Sequence, residues 1–425
     1  MTVSPDVRSA DPRERQDGLG WVTRAVFPGR GARLSIGSRS ASAPDPGWRT
    51  VARYAVVPSA ARARFLLPLG RRRVTAASVL AYNALRPPKV RAARAALGTA
   101  ARLGVLELAR MPVLIVSVPD DADPTELVLA EHLSAALGRG PLYGAFGVRA
   151  PDPNHKPTLQ LFDADRRPRG YAKIGWNGAT RALVRAEAAA LHELPRPGAT
   201  SDYPLVPRVL MHGDWAGQAL AVVEPLPPDV RGVDPAEPPR LAALLAVARR
   251  GGAPGTPREL AGSPFLGRLS DLATKAAEAV DAGARAVHAV RRLTERHGAT
   301  LAEFGDWHGD WVPWNLGTHA GRLVAWDWEH SGPHAPIGFD LAHQGFQCAL
   351  ILRSGPVPDA VRAADDLVGR YGEQLGLGPD QRRFVVDAYL IEMWLRTWRL
   401  ADGGAGWNRA LHPALLDVIE DRLSR

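Results

Sequence analysis

The sequence predicts an α+β protein in which a sheet-rich portion precedes a larger helical one. Apolar segments bounded by turn formers follow one another through residues 141–226, with a single helical segment among them. From about residue 357 onward the pattern is mostly helical. The length of 425 residues suggests two or three domains, and a hydrophobic content of 46% supports a large buried core.

Taken in order, residues 1–46 are broken by Pro, Gly, Ser and Arg and read as a flexible basic arm. Residues 47–122 read as an α/β extension to which the sequence assigns no role. In it, "WRTVARYAVV" and "ARFLLPLG" have strand character, "VTAASVLAYNAL" and "VRAARAALGTAARLGV" have helical spacing, and "MPVLIVSVP" is a buried strand candidate. Pro87 and Pro88 separate the two helical segments. Residues 123–224 form a small lobe. It opens with a helix running from Asp123 and Pro124 to Gly138, which carry start and stop signals. "PLYGAFGV", "TLQLFD" and "GYAKIGW" follow as an antiparallel meander. The helix "TRALVRAEAAALHEL" and the strands "LVPRVLMHG" and "QALAVVEPL" complete it. Residues 225–425 form a helical lobe interrupted by the strand-and-loop segments "EFGDWHGDWVPWNLG" and "RLVAWDWEHSG".

Charge is uneven along the chain. Residues 1–110 carry 20 Arg and Lys against 6 Asp and Glu, a net of +14, whereas residues 111–425 net −5. Such a front half can face nucleic acid or an anionic surface. However, the chain has 49 Arg and only four Lys, at 89, 156, 173 and 275. A GC-rich coding bias produces that usage, so the compositional reading is the stronger one. Cys348 is the only cysteine, which excludes an intrachain disulfide and makes a reducing compartment the expectation. With no signal-like or membrane-spanning apolar run, a soluble cytoplasmic protein is expected.

The chemistry concentrates in "HGDWVPWN", residues 308–315, and in "RLVAWDWE", which sets Asp327 at the end of an apolar strand. A loop amide and a strand-end carboxylate can converge on one hard cation such as Mg²⁺. Asn315 and Asp327 could supply those ligands, and Asp310 would then face an acceptor hydroxyl. This is the equipment of phosphoryl transfer, which also needs a cation on the nucleotide phosphates. Lys173 lies mid-strand in an otherwise arginine-rich chain, and Glu187, 14 residues on, could orient it.

The order Lys173, Glu187, "HGDWVPWN", "AWDWE" and "GFDLAH" resembles the aminoglycoside phosphotransferase and choline kinase branch of the protein-kinase fold, over about residues 135–425. The resemblance implies a protein-kinase-like two-lobed fold and an ATP- and Mg²⁺-dependent kinase acting on a small-molecule hydroxyl, of an antibiotic or a metabolite. It casts Asp310 as catalytic base, Asn315 and Asp327 as metal ligands, and Lys173 with Glu187 as the phosphate-binding ion pair. Asp340 would brace the catalytic loop, His308 would pack and hydrogen-bond, and the adenine-binding hinge would lie at Glu224–Leu226. Gly144 and Gly147 are candidates for covering the phosphates, although the linker after them, "APDPNHKP", lacks glycine. Gly309 replaces the arginine through which regulated protein kinases sense a phosphorylated loop, and only 12 residues separate Asp327 from Asp340. Both departures favour a small acceptor over a polypeptide.

Trp311, next to Asp310, and Glu392, on an apolar helix, are candidate acceptor contacts, but core packing of the tryptophans and a salt bridge from Glu392 to Arg396 at helical spacing are the stronger readings. His330 and His334 are four apart, but Gly332 and Pro333 between them argue against a helical zinc pair. The rival reading is a non-catalytic nucleotide-binding module acting in a larger assembly through its basic N-terminal region.

Overall fold

The computed structural model describes residues 11–29, 31–37, 45–108, 111–195, 198 and 202–424. Within them the chain divides into two compact units, residues 1–185 with 208–229, and residues 186–207 with 230–425. The first is built on a sheet and the second is mostly helical, in agreement with the expected α+β class. No helix among the described residues is long and apolar enough to cross a membrane.

Nine strands form the sheet of the first unit: β1 (Arg33–Gly37), β2 (Trp48–Val57), β3 (Phe65–Pro68), β4 (Val113–Pro119), β5 (Tyr143–Gly147), β6 (Thr158–Phe162), β7 (Pro168–Gly175), β8 (Val209–Trp215) and β9 (Gln218–Val223). Their order is β1-β4-β2-β3-β5-β6-β7-β9-β8, and every neighbouring pair is antiparallel. The meander expected over 141–176 is therefore present, with β9 and β8 beyond it. The extension expected over 47–122 shares this sheet: Phe65 pairs with Gly147 and Leu66 with Phe146.

Period-two patterning explains why the join holds. Val56, Leu66, Val116, Phe146, Leu159 and Ile174 turn to one face and share a single core. Tyr54 and Phe146 meet there edge to face, 5.6 Å apart. The alternate residues Ala55, Val57 and Leu67 turn to the other face, where they join Val79 and Ala101 from the helices Arg72–Leu80 and Pro88–Arg102.

The arm expected over residues 1–46 differs from the structure. Residues 1–10, 30 and 38–44 lie outside the described residues, but Gly18–Val26 is helical and Arg33–Gly37 is β1. The cause is an amphipathic stripe that the Gly and Arg content masks. Leu19, Trp21, Val22 and Val26 are buried in the sheet's core, and Asp17 caps the helix by accepting from the Gly20 amide.

In the second unit, the strand Phe304–Trp307 pairs with Gly332–Pro336, and the hairpin Leu316–His319/Arg322–Ala325 lies between them in sequence. The 22-residue helix Pro379–Leu400 is buried along Phe384–Trp398.

Because β5 joins the extension to β6, loss of its central aromatic should loosen both sides together. Phe146→Ala should cost about 3–5 kcal/mol. It should accelerate amide exchange in both Trp48–Val57 and Thr158–Phe162. Acceleration confined to one of these strands would show that the sheet is not one cooperative body.

Candidate active site

The site grows from one short strand. Phe304–Trp307 delivers the chain to His308, Gly309 and Asp310. The Asp340 carboxylate, in the first turn of the helix Phe339–Gln347, accepts from the His308 amide at 2.7 Å and the Gly309 amide at 3.0 Å. Gly309 has φ +79°, and a Cβ there would lie 2.2 Å from the His330 carbonyl oxygen, so the turn admits only glycine. Arg396, from the helix Pro379–Leu400, donates to the Gly309 carbonyl at 2.7 Å and stacks its guanidinium over Trp307.

His308 is fully buried. Its Nδ1 accepts from the Asp310 amide at 3.1 Å, so the proton sits on Nε2, which donates to the Trp326 carbonyl at 3.1 Å. Burial lowers its pKa to about 4 and keeps it neutral. The imidazole is thus a strut between the loop and the segment before Asp327.

Asp310 is held at both carboxylate oxygens. His343 donates from Nε2 to Oδ1 at 2.9 Å, and Asn315 donates from Nδ2 to Oδ2 at 2.7 Å. The Asn315 Nδ2 also reaches the Asp310 carbonyl at 3.1 Å. Since both contacts are to acceptors, the amide orientation is fixed by chemistry, and Oδ1 is the atom directed away from Asp310. Behind His343, Tyr389 lies 3.0 Å from Nδ1 and donates to it. Burial alone would raise the Asp310 pKa; the hydrogen bond donated by His343 opposes it, and the carboxyl lies well below its ordinary value. The group is a carboxylate at any working pH.

Asn315 ends a short helical turn, Pro313–Asn315, and the hairpin that follows sets Asp327 beside it. Leu316 pairs with Ala325, and the Trp326 amide donates to the Asn315 carbonyl at 3.2 Å. Asp327 has a left-handed backbone, φ +64°, uncommon for a residue with a side chain. One amide oxygen and one carboxylate suit Mg²⁺, which keeps several waters and takes one or two carboxylates plus phosphate oxygens. Among the described residues there is no group of three or more His, Cys, Asp or Glu that could hold a metal.

The other sequence candidates are placed as follows. Lys173 is buried in β7, between Thr158 and Ala221. Glu187 is buried in the helix Gly178–Glu193. A Cβ on Gly144 would meet Leu159 at 2.4 Å, so sheet packing accounts for that glycine, whereas a Cβ on Gly147 would meet only the Thr158 Oγ1, at 4.0 Å. The glycine-free linker is built on Asp152, which accepts from the Asn154 amide at 2.8 Å. Trp176 and Asn177 tie it down by donating to the His155 and Pro153 carbonyls. The Glu224 carboxylate pairs with Arg208. The Leu226 amide donates to the Tyr82 hydroxyl at 3.3 Å.

Two expectations about acceptor contacts change. Trp311 is completely buried, edge-on to His308, and has no face free for a ligand; Trp314, 39% exposed, is the loop's accessible aromatic. Glu392 is 2% exposed and pairs with Arg268 at 2.8 Å and Arg399 at 3.5 Å. Its ion pairs are not with Arg396, whose Nη1 donates to the Gly309 carbonyl. A carboxylate this enclosed supports the helix rather than an acceptor. His343, Tyr389 and Arg396 received no role in the site from the sequence. The one available signal was that His343 falls one turn after Asp340 in "FDLAH", on the same helical face.

No protein-family profile matches the chain, and no curated protein does. Solved structures do resemble it. Aminoglycoside phosphotransferase APH(4)-Ia aligns over 69% of this chain and 98% of its own, at 14% identity and a TM-score of 0.44. A thermostable mutant of that enzyme in ternary complex with ADP and hygromycin B gives the same coverage, at 14% identity and a TM-score of 0.45. Choline kinase LicA from Streptococcus pneumoniae aligns over 63% of this chain and 89% of its own, at 13% identity and a TM-score of 0.39. These are the two kinds of enzyme the sequence resembles. At such identities and scores, residue roles in this chain rest on its own geometry.

The loop's two buried titrating groups pull stability in opposite directions on acidification. Burial raises the Asp340 pKa to about 7, against the two amide hydrogen bonds that lower it. As pH falls through 7 the folded state therefore takes up a proton that the unfolded state does not yet bind, and folding is favoured. His308 does the reverse: the unfolded state is protonated near 6.5 and the folded state only near 4. Acidification through that window costs up to about 3 kcal/mol. Melting temperatures between pH 7.5 and 4.5 should thus fall less steeply in His308→Gln than in the parent, and more steeply in Asp340→Asn. Parallel curves for all three proteins would refute the assignment.

Proposed function

We propose that this chain is a phosphotransferase that moves the γ-phosphate of ATP to a hydroxyl of a small molecule. The observation that carries the reading is the Asp310 carboxylate, ionised, hydrogen-bonded at both oxygens and fixed on a loop whose amides are clamped by Asp340. Phosphoryl transfer asks a protein mainly for position and for charge stabilisation. Asp310 would accept a hydrogen bond from the acceptor hydroxyl and aim its oxygen at the γ-phosphorus. The new O–P bond forms as the bond to the β–γ bridging oxygen breaks, and ADP leaves. The hydroxyl proton passes to the Asp310 carboxylate in the course of the transfer.

The donor set fits Mg²⁺, with the Asn315 Oδ1 and the Asp327 carboxylate as its protein ligands. The ion, when bound, neutralises phosphate charge. By turning its Nδ2 to Asp310 and its Oδ1 away, Asn315 would couple the orientation of the base to that of the metal site. Lys173 is assigned to the nucleotide phosphates, Glu187 to orienting it, and Glu224–Leu226 to the base. Gly147 and the linker after it remain the candidates for covering the phosphates.

A small acceptor is favoured by the segment between Asp327 and Asp340. Gly332–Pro336 is consumed by pairing with Phe304–Trp307, and the helix of Asp340 begins at Phe339. That leaves no length for a loop on which a polypeptide could dock. Trp314 offers an aromatic surface for an acceptor ring or alkyl chain.

Two substitutions separate the roles. Asp310→Asn should lower kcat by about 10²–10⁴ while ATP affinity changes by only about a few-fold. Asp327→Ala should leave ATP binding insensitive to Mg²⁺ in calorimetry, whereas the parent binds tightly only with the ion. Near-normal turnover in Asp310→Asn, against whichever hydroxyl compound a panel reveals as acceptor, would sink the catalytic reading in favour of a nucleotide-binding module.

A further inference from the structure

The extension enters the base-recognition segment through one residue. Residues 224–228 read Glu-Pro-Leu-Pro-Pro, so Leu226 carries the only amide N–H between residues 225 and 228. A purine held by backbone hydrogen bonds along this stretch has that one donor to use. In the structure the donor is taken, since the Leu226 amide lies 3.3 Å from the Tyr82 hydroxyl oxygen. The Tyr82 ring stands edge-on to Tyr171 of β7, with centroids 6.1 Å apart, and burial pushes its phenol well above the ordinary range. The hydroxyl is therefore neutral, and its oxygen is an acceptor.

The turn that presents Tyr82 is built for the purpose. Tyr82 has φ +54°, a left-handed conformation that a bulky side chain adopts only when its surroundings enforce it. The enforcement is visible. Arg94 is 7% exposed, and it donates from Nε to the Val79 carbonyl at 2.8 Å and from Nη2 to the Ala81 carbonyl at 3.0 Å. Asn83 donates to the Arg91 carbonyl at 3.2 Å on the other side of the tyrosine. A buried guanidinium thus holds the end of one helix so that the next residue points its ring at the hinge.

We propose that Tyr82 is a determinant of nucleotide recognition: its hydroxyl occupies the single hinge donor, and a base must displace it to bind. The inference rests on the reading of Glu224–Leu226 as the base-binding segment. It gives the extension a role, that of an internal competitor which sets nucleotide affinity and disfavours ligands without a good acceptor for the Leu226 amide. Adenine presents such an acceptor in an unprotonated ring nitrogen.

The test is calorimetric titration of the full chain with ATP and Mg²⁺, in the parent, in Tyr82→Phe and in Tyr82→Gly. Phenylalanine keeps the ring and removes the competing oxygen. Glycine removes the ring and relieves the left-handed backbone, so the turn still folds. Both variants should bind about three- to tenfold tighter than the parent, which is the scale of one hydrogen bond. Hydrogen exchange gives a second readout, because prolines leave few amides to confuse it. Without nucleotide, the Leu226 amide should exchange faster in Tyr82→Phe than in the parent, and ATP should protect it in both. Equal, metal-dependent affinity in all three proteins would overturn the role of Tyr82 and leave the proposed function standing. Weaker binding in Tyr82→Phe would also overturn it, since the hydroxyl would then be helping the ligand. Absence of nucleotide binding in all three, with the proteins folded, would remove both this inference and the reading beneath it.

Discussion

The loop that carries Asp310 depends on one buried carboxylate. Asp340 accepts the amides of His308 and Gly309 in a place where an unpaired N–H would be costly. Those two bonds fix the backbone just ahead of Asp310. Everything beyond follows from that direction: the His308 ring reaches the Trp326 carbonyl, Asn315 turns its amide to Asp310, and the hairpin brings Asp327 alongside. Arg396 completes the arrangement from the opposite side by binding the Gly309 carbonyl. These amide and carbonyl groups are thus satisfied by Asp340 and Arg396, side chains on two different helices, so the loop stays fixed even though it has little regular structure.

A second layer lies behind the carboxylate. In the chain Tyr389 to His343 to Asp310, the first two are fully buried and Asp310 half-buried, and each hydrogen bond is assigned by chemistry. Held this way, the Asp310 carboxylate has little freedom to rotate, and in the proposed reaction an acceptor would meet a preset lone pair rather than a mobile one. The hydrogen bond from His343 also keeps its pKa below the ordinary value.

Much of this could be read in the sequence because the signals were local. "HGDWVPWN" and the strand-end Asp327 announce themselves by residue type and spacing, and the strands β5–β9 by alternation between turn formers. What stayed hidden was non-local. The helix at Gly18–Val26 was masked by its Gly and Arg content, and only burial against the sheet exposes its apolar stripe. Trp311 looked like a ligand contact from its position next to Asp310, but the loop's turn sends its ring inward. For Glu392, helical spacing suggested Arg396; the second guanidinium of interest, Arg268, is more than 120 residues away in sequence and invisible to any local rule. Tyr82 gave no sign at all, because its partner Leu226 is 144 residues distant.

The extended sheet also bears on how the protein avoids sticking to itself. Every open sheet has two edges, and each is a template for another chain. Here β5, with its sequence "YGAFG", would offer an apolar, nearly chargeless edge, but β3 covers it. The exposed edges are moved outward to β1 and β8. The first is a strand of five residues carrying Arg33. The second presents His212 and Asp214 to solvent, with Asp214 paired to Arg185. A variant truncated before β5 would thus carry an uncovered adhesive strand, and strand-to-strand aggregation would be the expected outcome.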